Sequence, residues 1–217
     1  MTRPAQGTPA QGTLVRRGLA LAWFIIVWDV VEGVVAVTAG LAVGSIALVG
    51  FGIDSAIEVF AASVVIWQLR AGAHARQRPA LRAIAVTFYA LAAFVGFESI
   101  RDLVTQDKAG ESLIGIVLNV VALLVMVPVA VAQRRIGREL NNPVLVAQST
   151  ETWMSNALSV TVLAGLGLNA TLGWWWADPV VALAVAGLAV QSGRKAWHET
   201  NETAPAEGHP STTKDQP

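Results

Sequence analysis

Two carboxylates, Asp54 and Glu58, stand four residues apart in the apolar stretch SIALVGFGIDSAIEVFAASVVIW, residues 45–67. A spacing of i, i+4 puts both on one face of a helix. A charged side chain at the centre of a bilayer costs about 2.5–3.5 kcal/mol even on the mildest scale, so such residues are kept for a pathway or a partner. The same spacing recurs at Glu151 and Ser155, while Asp29 and Glu32 lie in the first apolar stretch and Glu98 near the end of the third. No Lys, Arg or His lies deep in any of these stretches. Acids without bases must be protonated, wetted by a cavity, or paired with a cation from outside the chain, and a metal ion or a proton is the obvious candidate. Oxygen donors alone suit hard ions such as manganese or magnesium, although zinc also accepts Asp and Glu in tetrahedral sites.

The elements that must hold these side chains follow from length and hydropathy. Apolar residues make up 54% of the 217, charged residues only 14%, and mean hydropathy is +0.54. Soluble domains carry roughly 25% charged residues, so the solvent for most of this chain is a bilayer. A helix needs about 20 apolar residues to cross one. Six stretches reach that length, at 18–39, 45–68, 80–100, 112–133, 144–168 and 174–193. None alternates with the period of a barrel strand, so the expected fold is an all-α membrane protein, a bundle of six transmembrane helices. Residues 16–197 form this domain; the polar, Pro- and Gly-containing segments 1–15 and 198–217 read as disordered tails. There is no cysteine, which excludes disulfides and thiolate sites.

Charge placement sets the orientation. Lys and Arg are retained on the cytoplasmic side, and one set of connections holds Arg3, Arg16, Arg17, Arg70, Arg76, Arg78, Arg82, Arg134, Arg135, Arg138, Arg194, Lys195 and Lys214. The opposite set has Arg101 and Lys108 alone, balanced by Asp102, Asp107 and Glu111. Both termini are therefore expected in the cytoplasm. The run GWWWADP, 173–179, places three Trp at the outer headgroups. Gly40 and Gly44 fall at the turn between the first two spans. In this topology spans two and five run in opposite directions. At 1.5 Å per residue Glu58 lies roughly 15 Å and Glu151 roughly 11 Å from the inner end of its span, with Asp54 and Ser155 about one turn further out. If the two helices pack, Asp54, Glu58, Glu151 and Ser155 make a ring of oxygen donors near the midplane. Glu32, at similar depth, and Asp29 are the candidates for an auxiliary or proton site. Thr152 and Asn156 form another i, i+4 pair one residue along, so the ligand-bearing face of span five stays open.

With these residues in view, the chain resembles the cation diffusion facilitators, the divalent-metal exporters. GSIALVGFGIDSAIE is similar to their span-two signature, GSxALLADAxHSxxD; Gly44, Ser45, Ala47, Leu48 and Ser55 match, and Asp54 and Glu58 fall on its two ligand positions. In span five the family has His-x-x-x-Asp, often with a Ser four residues on; aligning Ser159 with that Ser puts Glu151 on the His position and Ser155 on the Asp position. Glu98 in FESIRDL resembles an acid found late in span three. The resemblance runs from 14 to about 198, and FGIDSAIE with GWWWADP points to a compact branch without the family's cytoplasmic C-terminal domain. A neutral Ser155 where a carboxylate is usual is a departure from the pattern.

The resemblance implies a secondary transporter that exports a divalent transition metal, zinc first and manganese, cobalt or iron behind it, by proton antiport from the plasma membrane. The metal is then the transported substrate and no cofactor is expected. Partners are membrane lipid, the metal, protons and, as in the family, a second copy in a homodimer; no nucleic acid is implied. An enzyme is not expected, since no nucleophile has an evident base. A membrane metal-binding or scaffold protein that transports nothing is the alternative. Glu98 reads as structural, Trp153 as packing, and His74, His198 and His209 as solvated.

Overall fold

In the computed structural model, residues 9–43, 46–105 and 113–202 are described. They form six helices in chain order: α1 Pro9–Val43, α2 Ile46–Arg70, α3 Gln77–Thr105, α4 Leu113–Glu139, α5 Pro143–Leu172 and α6 Ala177–Glu202. Each predicted apolar stretch falls on one of them, and there is no strand among the described residues. Four helices are long and apolar enough to cross a membrane: α1, α2, α3 and α4. The others are of similar length, but α5 carries Gln148, Thr150, Glu151, Thr152, Ser155, Asn156 and Ser159 within about three turns, and α6 ends in RKAWHETNE.

The outer helices run further than the predicted domain. Helix α1 begins at Pro9, so 9–15 are helical where a disordered tail was expected, because Leu14 and Val15 pack on the core. Helix α6 continues to Glu202, past the expected end at 197, where Thr200 is buried and donates to the carbonyl of Trp197. Residues 1–8, 44–45, 106–112 and 203–217 lie outside the described set, which takes Gly44, Ser45, Arg3, Asp107, Lys108, Glu111, His209 and Lys214 out of view.

Helices pack in pairs, α1 on α2, α3 on α6 and α4 on α5, and the pairs close around a core drawn from all six. Many polar side chains lie inside and many large apolar ones outside. Asp29, Glu32, Glu58, Gln68, Asn119, Gln133, Gln148 and Glu151 are buried, while Val27, Val31, Val34, Phe60, Phe97 and Leu124 are exposed. That is the reverse of a protein in water and the arrangement an apolar solvent selects.

Local geometry fixes the connections. Helix α4 ends with Asn141 in the left-handed region (φ 48°), where its amide bonds Arg138 O and the amide of Asn142 bonds Gly137 O. Asn142 then caps α5, its Oδ1 accepting from the amides of Val144 (3.0 Å) and Leu145 (3.1 Å), with Pro143 in the first turn. Its Nδ2 donates to Gln68 Oε1 and to Ala73 O, both at 2.9 Å. The Gln68 amide nitrogen in turn donates to the carbonyls of Gly72, Ala73 and Ala75. One buried Gln–Asn clasp thus ties the end of α2, the α2–α3 loop and the start of α5 together.

Helices α1 and α2 approach closely at Gly33 and Gly52. A Cβ on Gly52 would lie 3.0 Å from Gly33 O and collide with the Val37 side chain, while one on Gly33 would meet Ser55 Cβ at 3.3 Å. Gly52→Ala is therefore expected to cost about 1–3 kcal/mol, the range for overpacking, and Gly33→Ala less. Thermal unfolding in detergent ranks them; a Gly52→Ala protein that melts with the parent would show that the helices slide apart freely.

Candidate metal centre

The tight α1–α2 contact brings two acidic helix faces together. Gly33 follows Glu32, and Gly52 precedes Asp54 by half a turn. Asp29 therefore lies within electrostatic reach of Glu58, Glu32, Asp54 and Glu151, and Glu151 within reach of Glu58 and Asp54. Asp29, Glu32, Glu58 and Glu151 are buried, Glu151 at 1% exposure. Asp54 is half-buried as a residue, but its Oδ1 is sealed from solvent.

What distinguishes the cluster is its hydrogen-bond deficit. Asp29 Oδ2, Glu32 Oε1, Asp54 Oδ1, Glu58 Oε2, both carboxylate oxygens of Glu151 and Ser155 Oγ are buried without a partner. Buried polar atoms normally find one, because an unmet group costs about 1–3 kcal/mol. Glu32 Oε2 is met, accepting from Trp28 Nε1 at 3.1 Å. Beyond the Ser155 hydroxyl, which lies beside Asp54 and Glu58, neighbouring polar side chains offer few protons. Thr87 faces Glu151, but its hydroxyl donates to Ile84 O at 2.7 Å. Thr152, beside Glu58, donates to Gln148 O, and Asn156 Nδ2 donates to Thr152 O at 2.9 Å. The lining is rich in lone pairs and poor in hydrogens. It can be satisfied by protons on the carboxyls or by a cation among them.

Each expected residue can now be placed. Asp54 and Glu58 on α2 and Glu151 and Ser155 on α5 share one interior space, with Ser155 beside both α2 acids. Asn156 is turned to its own helix backbone. Asp29 and Glu32 on α1 join the same group. Among the described residues no three His, Cys, Asp or Glu side chains converge at metal-holding distances; the donors are grouped, and gathering them on one ion takes side-chain rotation. Glu98 stands apart, held at 3.1 Å by Arg101, which also holds Asp102 at 2.9 Å. Sequence reasoning missed Thr87, although an aliphatic hydroxyl within IAVTFYALAAF was visible, and it missed the buried Gln133–Gln148 pair, 2.9 Å apart, on α4 and α5.

The model of the cation efflux transmembrane domain matches residues 80–200, which covers α3 to α6 and includes Glu151 and Ser155 but not the α2 acids. An uncharacterized transporter of Synechocystis sp. is 26% identical over 168 residues, a match covering 72% of this chain and 54% of the relative, so the chain spans about half that protein's length. With apolar helices, an acidic interior and a family match over more than half of its length, this integral membrane protein belongs to the cation efflux family.

Proposed function

We propose that the protein is a secondary transporter that exports a divalent transition-metal cation, zinc first and manganese, cobalt or iron behind it, in exchange for protons. All six helices cross the membrane in this reading, both chain ends are cytoplasmic, and the membrane is the plasma membrane. The observation that carries it is the set of partnerless carboxylate oxygens from α1, α2 and α5, with no Lys, Arg or His among the fully buried residues described. Membership of a family of transporters rather than enzymes supports the same class of function. Arginines gathered at one end of the bundle, with Arg70, Arg76 and Arg82 over Trp23, Trp67 and Trp197, support the orientation.

In the mechanism, Asp54, Glu58, Glu151 and Ser155 rotate inward to hold the cation, with Asp29 and Glu32 as the nearest proton acceptors. An empty group of acids in a low-dielectric interior is costly, so the site holds either metal or protons, and that alternation couples the two fluxes. Rocking of helices around a midplane site exposes it to each side in turn.

Zinc and manganese flux into proteoliposomes, with and without a pH gradient, tests this against Asp54→Asn. Gradient-dependent flux of one metal that disappears in the variant is the expected result. Metal binding without flux in the parent would make the protein a membrane metal-binding scaffold, and neither binding nor flux would leave the cluster structural.

A further inference from the structure

Away from the acidic cluster, a cavity of about 430 Å³ opens sideways between α1 and α2, lined by Trp23, Ile26, Ser63, Trp67, Arg70 and Arg76 among others. Two arginines and two tryptophans frame it. The Arg70 guanidinium lies 5.8 Å from the Trp23 ring centroid and that of Arg76 lies 4.9 Å from Trp67. Neither arginine is in an ion pair among the described residues. Arg76 also sits in the left-handed region (φ 55°), where a non-glycine backbone is strained. The chain accepts that strain while turning a cation back over a ring beside a helix that carries the acidic cluster on its other face.

Depth and shape decide what fits. Trp23 and Trp67 lie near the ends of their apolar stretches, the level at which indole rings meet lipid headgroups. Val27, one turn deeper than Trp23, and Phe60, two turns deeper than Trp67, are exposed and fall at helical spacing on the same faces, an apolar track beyond the groove. A soluble anion would find two guanidinium groups here but would leave that track and the Trp faces without a partner. A phospholipid fills both parts, its phosphate between the arginines and its acyl chain along Val27 and Phe60. Basic pockets between transmembrane helices recognise anionic headgroups in this way.

We infer that the α1–α2 groove at Trp23, Trp67, Arg70 and Arg76 is a binding site for an anionic phospholipid. The site is separate from the metal centre, and its occupation is read without any transport. A lipid seated there braces α1 against α2 at the end opposite the Gly33–Gly52 contact, so the packing of the helices that hold most of the acids becomes sensitive to lipid charge.

Native mass spectrometry of the full chain released from detergent tests this, with acyl-matched phosphatidylglycerol and phosphatidylcholine as probes. Each arginine near an anionic headgroup contributes about a fivefold preference, so phosphatidylglycerol is expected to bind about thirtyfold more tightly than phosphatidylcholine. Arg70→Gln/Arg76→Gln should abolish the preference, and so should Ser63→Trp, which fills the groove while both arginines stay. Arg134→Gln/Arg138→Gln, which removes the same charge from the exposed end of α4, should leave it intact. Equal binding of the two lipids by the parent, or a preference that persists in Arg70→Gln/Arg76→Gln, overturns the proposal. So does an equal loss in the α4 variant, which would make the effect one of overall charge. Displacement of the lipid by inorganic phosphate at equal concentration overturns it as well, by making the site one for a free anion.

Discussion

Glu151→Gln is expected to raise the unfolding temperature of the metal-free protein and to lower its metal flux by at least about 100-fold. The two effects share one cause. Glu151 is 1% exposed and neither carboxylate oxygen has a partner, while the hydroxyl of Thr87 beside it has already given its hydrogen to Ile84 O. A carboxamide of the same shape brings two N–H donors, which can reach the Thr87 oxygen or the carboxylates of Glu58 and Asp54. Relieving an unmet buried acceptor contributes about 1–3 kcal/mol, and for a chain of this length each kcal/mol moves the midpoint by about 2–4 °C. The same change removes a negative donor from the cation. Altering groups that only touch a metal ligand costs about 10–100-fold, so losing the ligand itself should exceed that range.

A stability gain coupled to loss of function is the mark of a site whose strain is kept for use. Thermal unfolding in detergent and flux in proteoliposomes, made on the same preparation, read both halves. A Glu151→Gln protein that melts several degrees lower and still transports would make Glu151 a hydrogen-bonded tie between helices and remove it from the centre.

The helices and the acids were legible for simple reasons, and the rest was not. An apolar run of about 20 residues has few options other than a helix, so the stretches at 18–39 and 45–68 fall on α1 and α2. The i, i+4 spacing of Asp54 and Glu58 then fixes their shared face without any tertiary knowledge. The helix contact was not legible, because the backbones approach at Gly33 and Gly52, which stand on different helices and which no local spacing pairs. The clasp from Gln68 to Asn142 joins positions 74 residues apart, a separation that no local pattern reports. Convergence of the carboxylates is a matter of rotamers, and spacing constrains the backbone alone. The polar face of α5 hides in its average hydropathy for a related reason, since the residues that lower the mean are those turned inward.

Gln68→Ala is expected to destabilise the protein by about 2–5 kcal/mol, the range for a core cavity, to which the Ala75 carbonyl's lost donor adds. Gln68 is fully buried, and its removal takes a donor from the carbonyls of Gly72, Ala73 and Ala75 and one of two acceptors from Asn142 Nδ2. Asn142→Ala should also be costly, since it deletes the α5 cap, worth about 1 kcal/mol, along with the clasp. Asn142→Asp separates the two contributions. An aspartate still accepts from the amides of Val144 and Leu145 and suits the positive end of the α5 dipole. It has no hydrogen for Gln68 Oε1 or Ala73 O, so the cap survives and the clasp is lost. If the clasp sets how α2 lies against α5, Asn142→Asp will melt between the parent and Asn142→Ala and will weaken metal binding, because Glu58 and Glu151 lie along the two helices it joins. An Asn142→Asp protein with the melting point and metal affinity of the parent would leave Asn142 as a cap alone, and the register of the acidic helices would rest on the Gly33–Gly52 contact and the apolar core.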